Sequence, residues 1–343
     1  MTFFAHGRMG TLDSDPQTAY GFHHLEGQAP AVRSLEGMLI SGRLPQGLLF
    51  SGLPGTGKSL AARTLMMVEN CTDSEAPCGQ CRSCRKIIMD QHPDFIGIQP
   101  VNGIIRIELI RKLIEQLIRK PHEARKRFVL LTDAQAMNRE AANALLKALE
   151  EPPDATYFIL MTSDPQRLLE TIRSRCQEIR FLPMPVEILA EKLRPMAPDD
   201  AAALSAAKLA CGNFLLGQAL IRENHKRKII ARTFSRGIYL EPSKALALSE
   251  WLTPDKPSAE ISLIIMEGLF RDICLAATNP DVLCIHGFFD DCRQEITEAG
   301  EKILPEQAMN MIQHIRDIRH RMDQNILPRL AMDAMLMNPD NAA

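Results

Sequence analysis

The 343-residue sequence is poor in aromatic side chains, has almost no net charge and contains no long apolar run. Phe, Trp and Tyr make up 5% of the residues, with one tryptophan, and this balance favours helix-rich packing over a β-sandwich. The formal net charge of −2 excludes a globally basic chain, so contact with DNA would need a local basic face or a multi-subunit surface. No window approaches about 18 consecutive apolar residues, which excludes a membrane-spanning helix.

Residues 1–25 also lack the apolar core of an export signal, because they are polar and interrupted by glycine and proline. We therefore expect a cytoplasmic protein, in whose reducing environment cysteines stay free or bind metal. Five of the nine cysteines have no metal-like spacing and are predicted to be buried structural thiols: Cys176, Cys211, Cys274, Cys284 and Cys292.

Short apolar runs alternate with helical stretches between Gly47 and Leu182. Four of the runs are predicted to be buried strands: 47–50, 95–98, 128–131 and 157–161. Residues 104–118 and 139–149 carry apolar side chains at helical spacing. Alternation of strands and helices indicates a parallel sheet that is covered on both faces, so we predict an α/β domain.

The pattern changes at Leu182-Pro183-Met184-Pro185, after which the strand signals stop. We predict a flexible lead-in over residues 1–20, an α/β domain over 21–183, a small helical domain over 184–222 and a helical domain over 223–343. An apolar stripe near the C-terminus is either this last domain's own core or a surface for a partner. Its members are Met311, Ile312, Ile315, Ile318, Met322, Ile326, Leu330 and Ala334.

Residues 52–59, Gly-Leu-Pro-Gly-Thr-Gly-Lys-Ser, match the phosphate-loop pattern G-x-x-x-x-G-K-[ST] between a predicted strand and a predicted helix over 60–68. Glycines let successive backbone N–H groups face phosphates, aided by the positive end of the helix. We expect Lys58 to reach the β- and γ-phosphates and Ser59 to ligate Mg²⁺. A glycine turn without a ligand is the alternative. The residues predicted to bind ATP or ADP here are Gly52, Pro54, Gly55, Thr56, Gly57, Lys58 and Ser59.

The predicted strand 128–131 is followed by Thr132 and Asp133. P-loop ATPases place an aspartate here to help hold Mg²⁺, and we predict this role for Asp133, with helix capping as the alternative. Hydrolysis also needs a group that activates the attacking water. Ala134 follows Asp133 and can neither accept a proton nor orient water, so we expect a site that binds nucleotide without hydrolysing it.

Four cysteines follow the phosphate-loop helix with the spacing C-x₆-C-x₂-C-x₂-C: Cys71, Cys78, Cys81 and Cys84. Four thiolates are the ligand set of a closed, structural zinc site. A redox C-x-x-C pair is the alternative, but two overlapping pairs and a fourth cysteine fit a metal better. The segment lacks apolar residues for a core of its own, so we predict a zinc module whose metal supplies folding energy.

Further runs make the chain resemble the clamp-loader branch of the AAA+ family from about residue 22 to the C-terminus. They are Gly27-Gln28, His92-Pro93-Asp94, the run Asn143–Pro153 (NALLKALEEPP) and Ser174-Arg175-Cys176. The resemblance implies an AAA+ core with a zinc-binding insert, a helical lid and a helical collar, in a hetero-oligomer that loads a sliding clamp on DNA. The partners that it implies are the subunits γ/τ and δ, the β sliding clamp and primer–template DNA.

The resemblance also implies roles for single residues. Thr162 takes the sensor-1 position beside a γ-phosphate, and Arg175 is an arginine finger for the nucleotide of an adjacent subunit. The family's catalytic glutamate is replaced by Ala134 and its sensor-2 arginine by Leu215, which implies a stator-like subunit without turnover. Two enzymes remain as alternatives: a self-hydrolysing ATPase of the γ/τ type with a displaced carboxylate such as Glu140, and, more distantly, a P-loop nucleoside kinase.

Overall fold

The computed structural model describes residues 20–337 except 280, 282, 284–286 and 323–326. Three predicted features therefore lie outside the described residues: the part of the lead-in that precedes Tyr20, the thiol of Cys284 and the stripe residue Ile326. The chain divides into two compact units, of which the first ends at Met184 and the second begins at Pro185. This boundary lies in the Pro-rich segment where the strand signals stop. The further division of the second unit at residue 222 stays a prediction.

The first unit is built on a five-stranded parallel sheet: β1 (Gly47–Ser51), β2 (Phe95–Ile98), β3 (Arg127–Leu131), β4 (Thr156–Thr162) and β5 (Gln177–Arg180). The strand order is β2-β3-β4-β1-β5, and every pairing is parallel. The parallel sheet and the four predicted strands are confirmed. The sequence did not predict β5, because Ile179 alone of its four residues is buried and the strand has no apolar run.

Six helices cover this sheet: α1 (Ala29–Ile40), α2 (Lys58–Asn70), α3 (Arg82–Ile88), α4 (Ile107–Leu117), α5 (Arg139–Glu150) and α6 (Glu170–Arg173). Successive strand residues point to opposite faces, so Leu48 and Phe50 pack with α1, α2 and α3. Leu49, between them, packs with α4, α5 and α6 on the other face. The sheet is therefore covered on both faces, as the alternating pattern predicts.

Two residues of the predicted motifs hold distant segments of the first unit together. Gln28 is buried, and its amide exchanges hydrogen bonds with the backbone N–H and C=O of Leu182, at 2.9 and 2.6 Å. Asp94 is also buried, and its carboxylate accepts three backbone N–H groups, from His122, Glu123 and Ala124. Burial raises the pKa of Asp94, but these donors outweigh burial and hold the pKa below its ordinary value. Both motifs thus have a structural role.

The second unit consists of helices, and its described residues contain no strand. The helices are α7 (Val186–Leu193), α8 (Asp200–Ala210), α9 (Phe214–Arg222), α10 (Asn224–Phe234), α11 (Pro242–Leu252), α12 (Lys256–Thr278), α13 (Arg293–Gly300), α14 (Pro305–Met322) and α15 (Pro328–Met337). None of the helices in the described ranges combines the length and apolar content needed to cross a bilayer.

The apolar stripe predicted near the C-terminus lies mostly inside the second unit. Met311, Ile315, Ile318 and Met322 of α14 are buried, and α14 packs along the long helix α12. Leu330 on α15 remains 63% exposed. The buried part of the stripe is therefore the unit's own core, and an oligomerisation role for this unit stays a prediction.

The cysteines without metal-like spacing differ from one another in burial. Cys176 and Cys292 are buried as predicted, and Cys274 is half-buried. Cys211 is exposed, so its prediction as a buried thiol is wrong. The reason is local, because Cys211 ends α8 in the left-handed conformation, at φ 48°, where the chain turns at the surface.

Candidate functional site

The phosphate loop joins the carboxyl end of β1 to the first turn of α2. Its path requires glycine at two places. A Cβ atom on Gly52, at φ 147°, would lie 2.3 Å from the carbonyl oxygen of Phe181. Gly57 has φ 94° directly before α2, where a Cβ would lie 2.7 Å from Leu25. The loop therefore has the strand–loop–helix setting that the motif predicts.

Lys58 is the first residue of α2, and its ammonium group lies over the loop. It donates to the carbonyl oxygens of Gly52 and Leu53 at 2.5 and 2.6 Å. Burial lowers the pKa of Lys58 to about 8, and the negative charge of Asp133 opposes this shift. Asp133 thus lies near enough for its charge to act on Lys58. The structure brings together the predicted loop lysine and the predicted strand-end aspartate.

Thr162 and Ser59 lie at the same edge of the sheet. Thr162 ends β4, and its carbonyl oxygen accepts the backbone N–H of Gly52 at 3.0 Å. The hydroxyl of Ser59 contacts the sulfur of Met161 at 3.8 Å. Thr56, inside the loop, donates its hydroxyl to the carbonyl oxygen of Leu53 at 2.8 Å. The predicted nucleotide-binding residues therefore gather around the carboxyl ends of β1, β3 and β4, where α/β sheets bind ligands.

Gln135 belongs to this group, although the sequence did not predict it. Its side chain contacts both Asp133 and Thr162. It lies two residues after Asp133 in a short 3₁₀ helix over residues 134–136. A polar residue two positions after a strand-end aspartate is the one sequence signal for it, and such residues are common in turns.

Ala134 does not line the site. It is fully buried and belongs to the core cluster that contains Leu49 and Leu160. Asp133 adopts φ 48°, and the side chain of the next residue packs in this core cluster. The expectation that Ala134 stands where the family has its water-activating glutamate stays a prediction, and the buried methyl group offers nothing that could activate water.

The four clustered cysteines converge as predicted. The sulfur atoms of Cys71, Cys78, Cys81 and Cys84 all lie within 4.8 Å of one another. Cys71 follows α2, and Cys81 caps α3. The backbone N–H groups of Cys81 and Cys84 point to the sulfurs of Cys78 and Cys81, at 3.3 and 3.4 Å. The sulfurs form one group of four, so they can hold a metal ion, and a separate redox pair is disfavoured.

The electrostatics of the cluster fit a cation. Burial raises the pKa of Cys81, but N–H donors from Cys84 and Thr72 outweigh it and lower that pKa to about 6. Burial raises the pKa of Cys84 well above its ordinary value. A thiolate at Cys84 therefore needs a positive charge beside it, which a metal ion among the four sulfurs supplies.

Arg175 lies between α6 and β5, at the opposite end of the sheet from the phosphate loop. Its backbone oxygen closely approaches Gly47, the first residue of β1. The phosphate loop, in contrast, follows Ser51, the last residue of the same strand. The guanidinium pairs with Glu150 at 2.5 Å and donates to the carbonyl oxygen of Thr171 at 2.9 Å. The two paired side chains are 36% and 47% exposed, so this ion pair is a weak surface pair. Arg175 is thus accessible and remote from Lys58 of its own chain.

Comparison with known proteins relates the chain to subunits of DNA polymerase III. The family described as "DNA polymerase III, delta subunit" matches residues 27–185. The delta' subunit from Bacillus subtilis is 28% identical over 318 residues, which are 90% of this chain and 95% of that protein. The delta' subunit from Yersinia pestis is 40% identical over 148 residues, which cover 42% of this chain and 44% of that protein.

The chain is also similar to a tau subunit. The DNA polymerase III subunit tau from Escherichia coli is 34% identical over 187 residues, which are 54% of this chain and 28% of that protein. The matches to the Yersinia and Escherichia proteins thus span less than half of those relatives' own length.

We expect the purified chain to carry about one tightly bound metal ion per polypeptide. Cys78→Ser and Cys84→Ser should each lose most of it, since three sulfurs leave the tetrahedral site incomplete. Elemental analysis by mass spectrometry measures the metal content. Cys211→Ser, at an exposed cysteine outside the cluster, is the matched control and should keep the metal. A wild-type chain purified without any metal would contradict this expectation.

We expect Ala134→Glu to lower the free energy of unfolding by about 3 kcal/mol or more, because it forces a carboxylate into an apolar core. Ala29→Glu is the matched control, since Ala29 is the exposed first residue of α1 and an acidic group is favourable there. Urea denaturation followed by circular dichroism compares the two variants. Equal stability of the two variants would show that residue 134 does not point into the core.

Proposed function

We propose, from the match of residues 27–185 to the DNA polymerase III delta subunit family, that the chain serves as a δ′ subunit of the clamp-loader complex. As a component of the polymerase III holoenzyme it helps to load the sliding clamp on primed DNA during chromosome replication. The observation that carries the proposal is the similarity to the Bacillus subtilis delta' subunit over 90% of the chain. That match extends into the helical second unit, beyond the segment that the family covers.

The architecture supports a division of labour along the chain. The first unit serves as the AAA+ core, with the phosphate loop between β1 and α2. Residues 184–222, which begin at the last residue of the first unit, act as a helical lid, and residues 223–343 act as the collar that joins γ/τ and δ. Contact with the β clamp and with primer–template DNA occurs through the assembled complex, since the chain itself has a net charge of −2.

The phosphate loop binds ATP or ADP weakly or as a structural ligand. The residues present fit a nucleotide: Lys58 offers a positive charge to the β- and γ-phosphates, and Ser59 and Asp133 offer oxygens to Mg²⁺. Bound Mg²⁺ neutralises phosphate charge. Pro54, Gly55, Thr56 and Gly57 supply the backbone of the loop.

The chain turns over little ATP by itself. Hydrolysis needs one group for the metal and another for the attacking water. Asp133 is the strand-end carboxylate available to the metal, and the residue after it, Ala134, has no group that could activate water. Glu140, the carboxylate that a γ/τ-type ATPase would use, is exposed in the first turn of α5, where it stabilises the helix terminus. An ATPase assay of the isolated chain separates the two candidates.

Arg175 acts in trans. Its accessible position, at the opposite end of the sheet from Lys58, suits a guanidinium that reaches the nucleotide of a neighbouring subunit. The surface ion pair with Glu150 holds it in the isolated chain and is weak enough to be exchanged for phosphate oxygens on assembly.

The metal of the four-cysteine cluster is zinc, with a structural role. Four converging sulfurs close a tetrahedral site and leave no position for water or substrate. Side chains of the neighbouring loops tie the cluster to the sheet, since Arg125 donates to the carbonyl oxygen of Cys71. The metal therefore stabilises the insert between α2 and α3 and takes no part in nucleotide chemistry.

We expect the affinity of the isolated chain for Mg-ATP to fall by about tenfold between pH 7 and pH 9. The pKa of Lys58 is about 8, so its charged fraction drops from about nine-tenths to about one-tenth over this range. Only the charged form attracts phosphate. Titration calorimetry at the two pH values measures the change. Lys58→Arg stays charged throughout and should flatten the pH dependence; an equally flat wild-type profile would contradict the assignment.

We expect the chain to co-purify with the γ/τ and δ subunits of the same genome and to be required for their DNA-stimulated ATPase. In the reconstituted complex, Arg175→Ala should lower that ATPase by at least about tenfold, because the finger stabilises transition-state charge. Arg175→Lys should rescue poorly, since an ammonium lacks the planar fork. Arg173→Ala, at an exposed arginine two residues away, is the matched control.

Two results would contradict the two parts of this proposal separately. Failure to co-purify with either subunit would refute the clamp-loader role of the chain. A complex that assembles and keeps full ATPase activity with Arg175→Ala would refute the arginine finger alone.

A further inference from the structure

One side-chain amide joins the ends of β3 and β4 beside the phosphate loop. The Oε1 atom of Gln135 accepts the hydroxyl of Thr162 at 2.7 Å. Its Nε2 atom donates to Asp133 Oδ1 at 3.3 Å and to Ser163 Oγ at 3.2 Å. The hydroxyl oxygen of Thr162 in turn accepts the backbone N–H of Asp164 at 3.1 Å. Gln135 therefore connects Asp133, which lies near Lys58, with Thr162 in the predicted sensor-1 position.

Asp133 sets the direction of the hydrogen bonds in this network. An ionised carboxylate has no proton to donate, so it must face the NH₂ group of the Gln135 amide. The amide oxygen then faces Thr162, and the threonine hydroxyl must donate its single proton to that oxygen. Thr162 is 1% exposed, so solvent does not compete for the proton. As long as Asp133 is charged, the hydroxyl of Thr162 therefore donates its proton to Gln135.

The hydrogen bond from Thr162 to Gln135 affects how the site distinguishes ATP from ADP. A terminal phosphate offers oxygens that accept hydrogen bonds, so Thr162 could recognise it only by donating its proton. We propose that Gln135 is a specificity-determining residue that withholds the Thr162 hydroxyl from a γ-phosphate, so that the site binds ATP and ADP with similar affinity. The inference rests on the proposed nucleotide binding by the phosphate loop and specifies its selectivity.

The geometry of the loop agrees with such selectivity. Thr162 contacts the loop through its backbone, because its carbonyl oxygen accepts the N–H of Gly52. That contact does not involve the hydroxyl and so places no demand on the side chain. The groups that reach the phosphates without Thr162 are Lys58, Ser59 and the loop amides. The amides and Lys58 face phosphates that ATP and ADP share, and Lys58 is the one loop side chain among them that also reaches the γ-phosphate of ATP. A subunit without its own turnover can then keep either nucleotide as a structural ligand.

Titration calorimetry with Mg-ATP and Mg-ADP on the full chain tests the inference. In the wild type the two dissociation constants should agree within about threefold, and Thr162→Val should leave their ratio unchanged. Gln135→Met keeps the side-chain length and removes the amide, which frees the Thr162 proton. ATP affinity should then rise about tenfold relative to ADP, the effect of one hydrogen bond to a charged acceptor. Adding Thr162→Val to Gln135→Met should restore the wild-type ratio.

Gln116→Met, at an exposed position on α4, is the matched control and should change neither constant. Gln135→Ala is the second variant that removes the amide, and thermal unfolding of each variant shows that the site is folded. A tenfold wild-type preference for ATP that Thr162→Val removes would overturn the inference. An unchanged ratio in both Gln135 variants would also overturn it, while the proposed function would stand because nucleotide still binds. A wild-type chain that binds neither nucleotide would overturn this inference together with the nucleotide part of the proposed function.

Discussion

The candidate nucleotide site depends on the parallel pairing of β1 with β4 in the middle of the sheet. This pairing runs from Gly47 opposite Phe158 to Ser51 opposite Thr162. Because the strands are parallel, their carboxyl ends meet at one edge, and the phosphate loop leaves β1 beside the end of β4. A shift of the register by one residue would turn Thr162 to the other face and separate it from Gln135. The contact of Thr162 with Gly52 follows from this register, and the parallel pairing of β3 with β4 brings Asp133 to the same edge.

Helix α2 connects the two chemical features of the first unit. Its first residue is Lys58, and Cys71 directly follows its last residue. The C-terminal end is held to the sheet by Asn70, whose amide exchanges hydrogen bonds with the backbone of Lys126 just before β3. The four-cysteine cluster and the phosphate loop therefore lie at opposite ends of one helix. A metal ion held by the four cysteines would therefore lie apart from the phosphate loop.

The sheet also separates the chain's own site from the residue that would serve a neighbour. Lys58 follows the carboxyl end of β1, whereas Arg175 lies at the strand's first residue. Arg175 contacts Glu150 of the Asn143–Pro153 run, so two of the motifs that carry the family resemblance meet at the surface. An arginine so placed is remote from the phosphate loop of its own chain, which agrees with the proposed role in trans.

The sequence by itself was sufficient for features that depend on local spacing. The phosphate loop, the four-cysteine cluster, four of the five strands and the change to helices near Pro185 are each written in consecutive or regularly spaced residues. The tertiary structure alone decided that Ala134 packs into the core, that Gln135 joins Asp133 to Thr162 and that Gln177–Arg180 forms a strand. These features arise where segments distant in sequence pair in the sheet. Side-chain direction after a left-handed residue and hydrogen bonds across strands have no periodic signature, so a one-dimensional pattern cannot encode them.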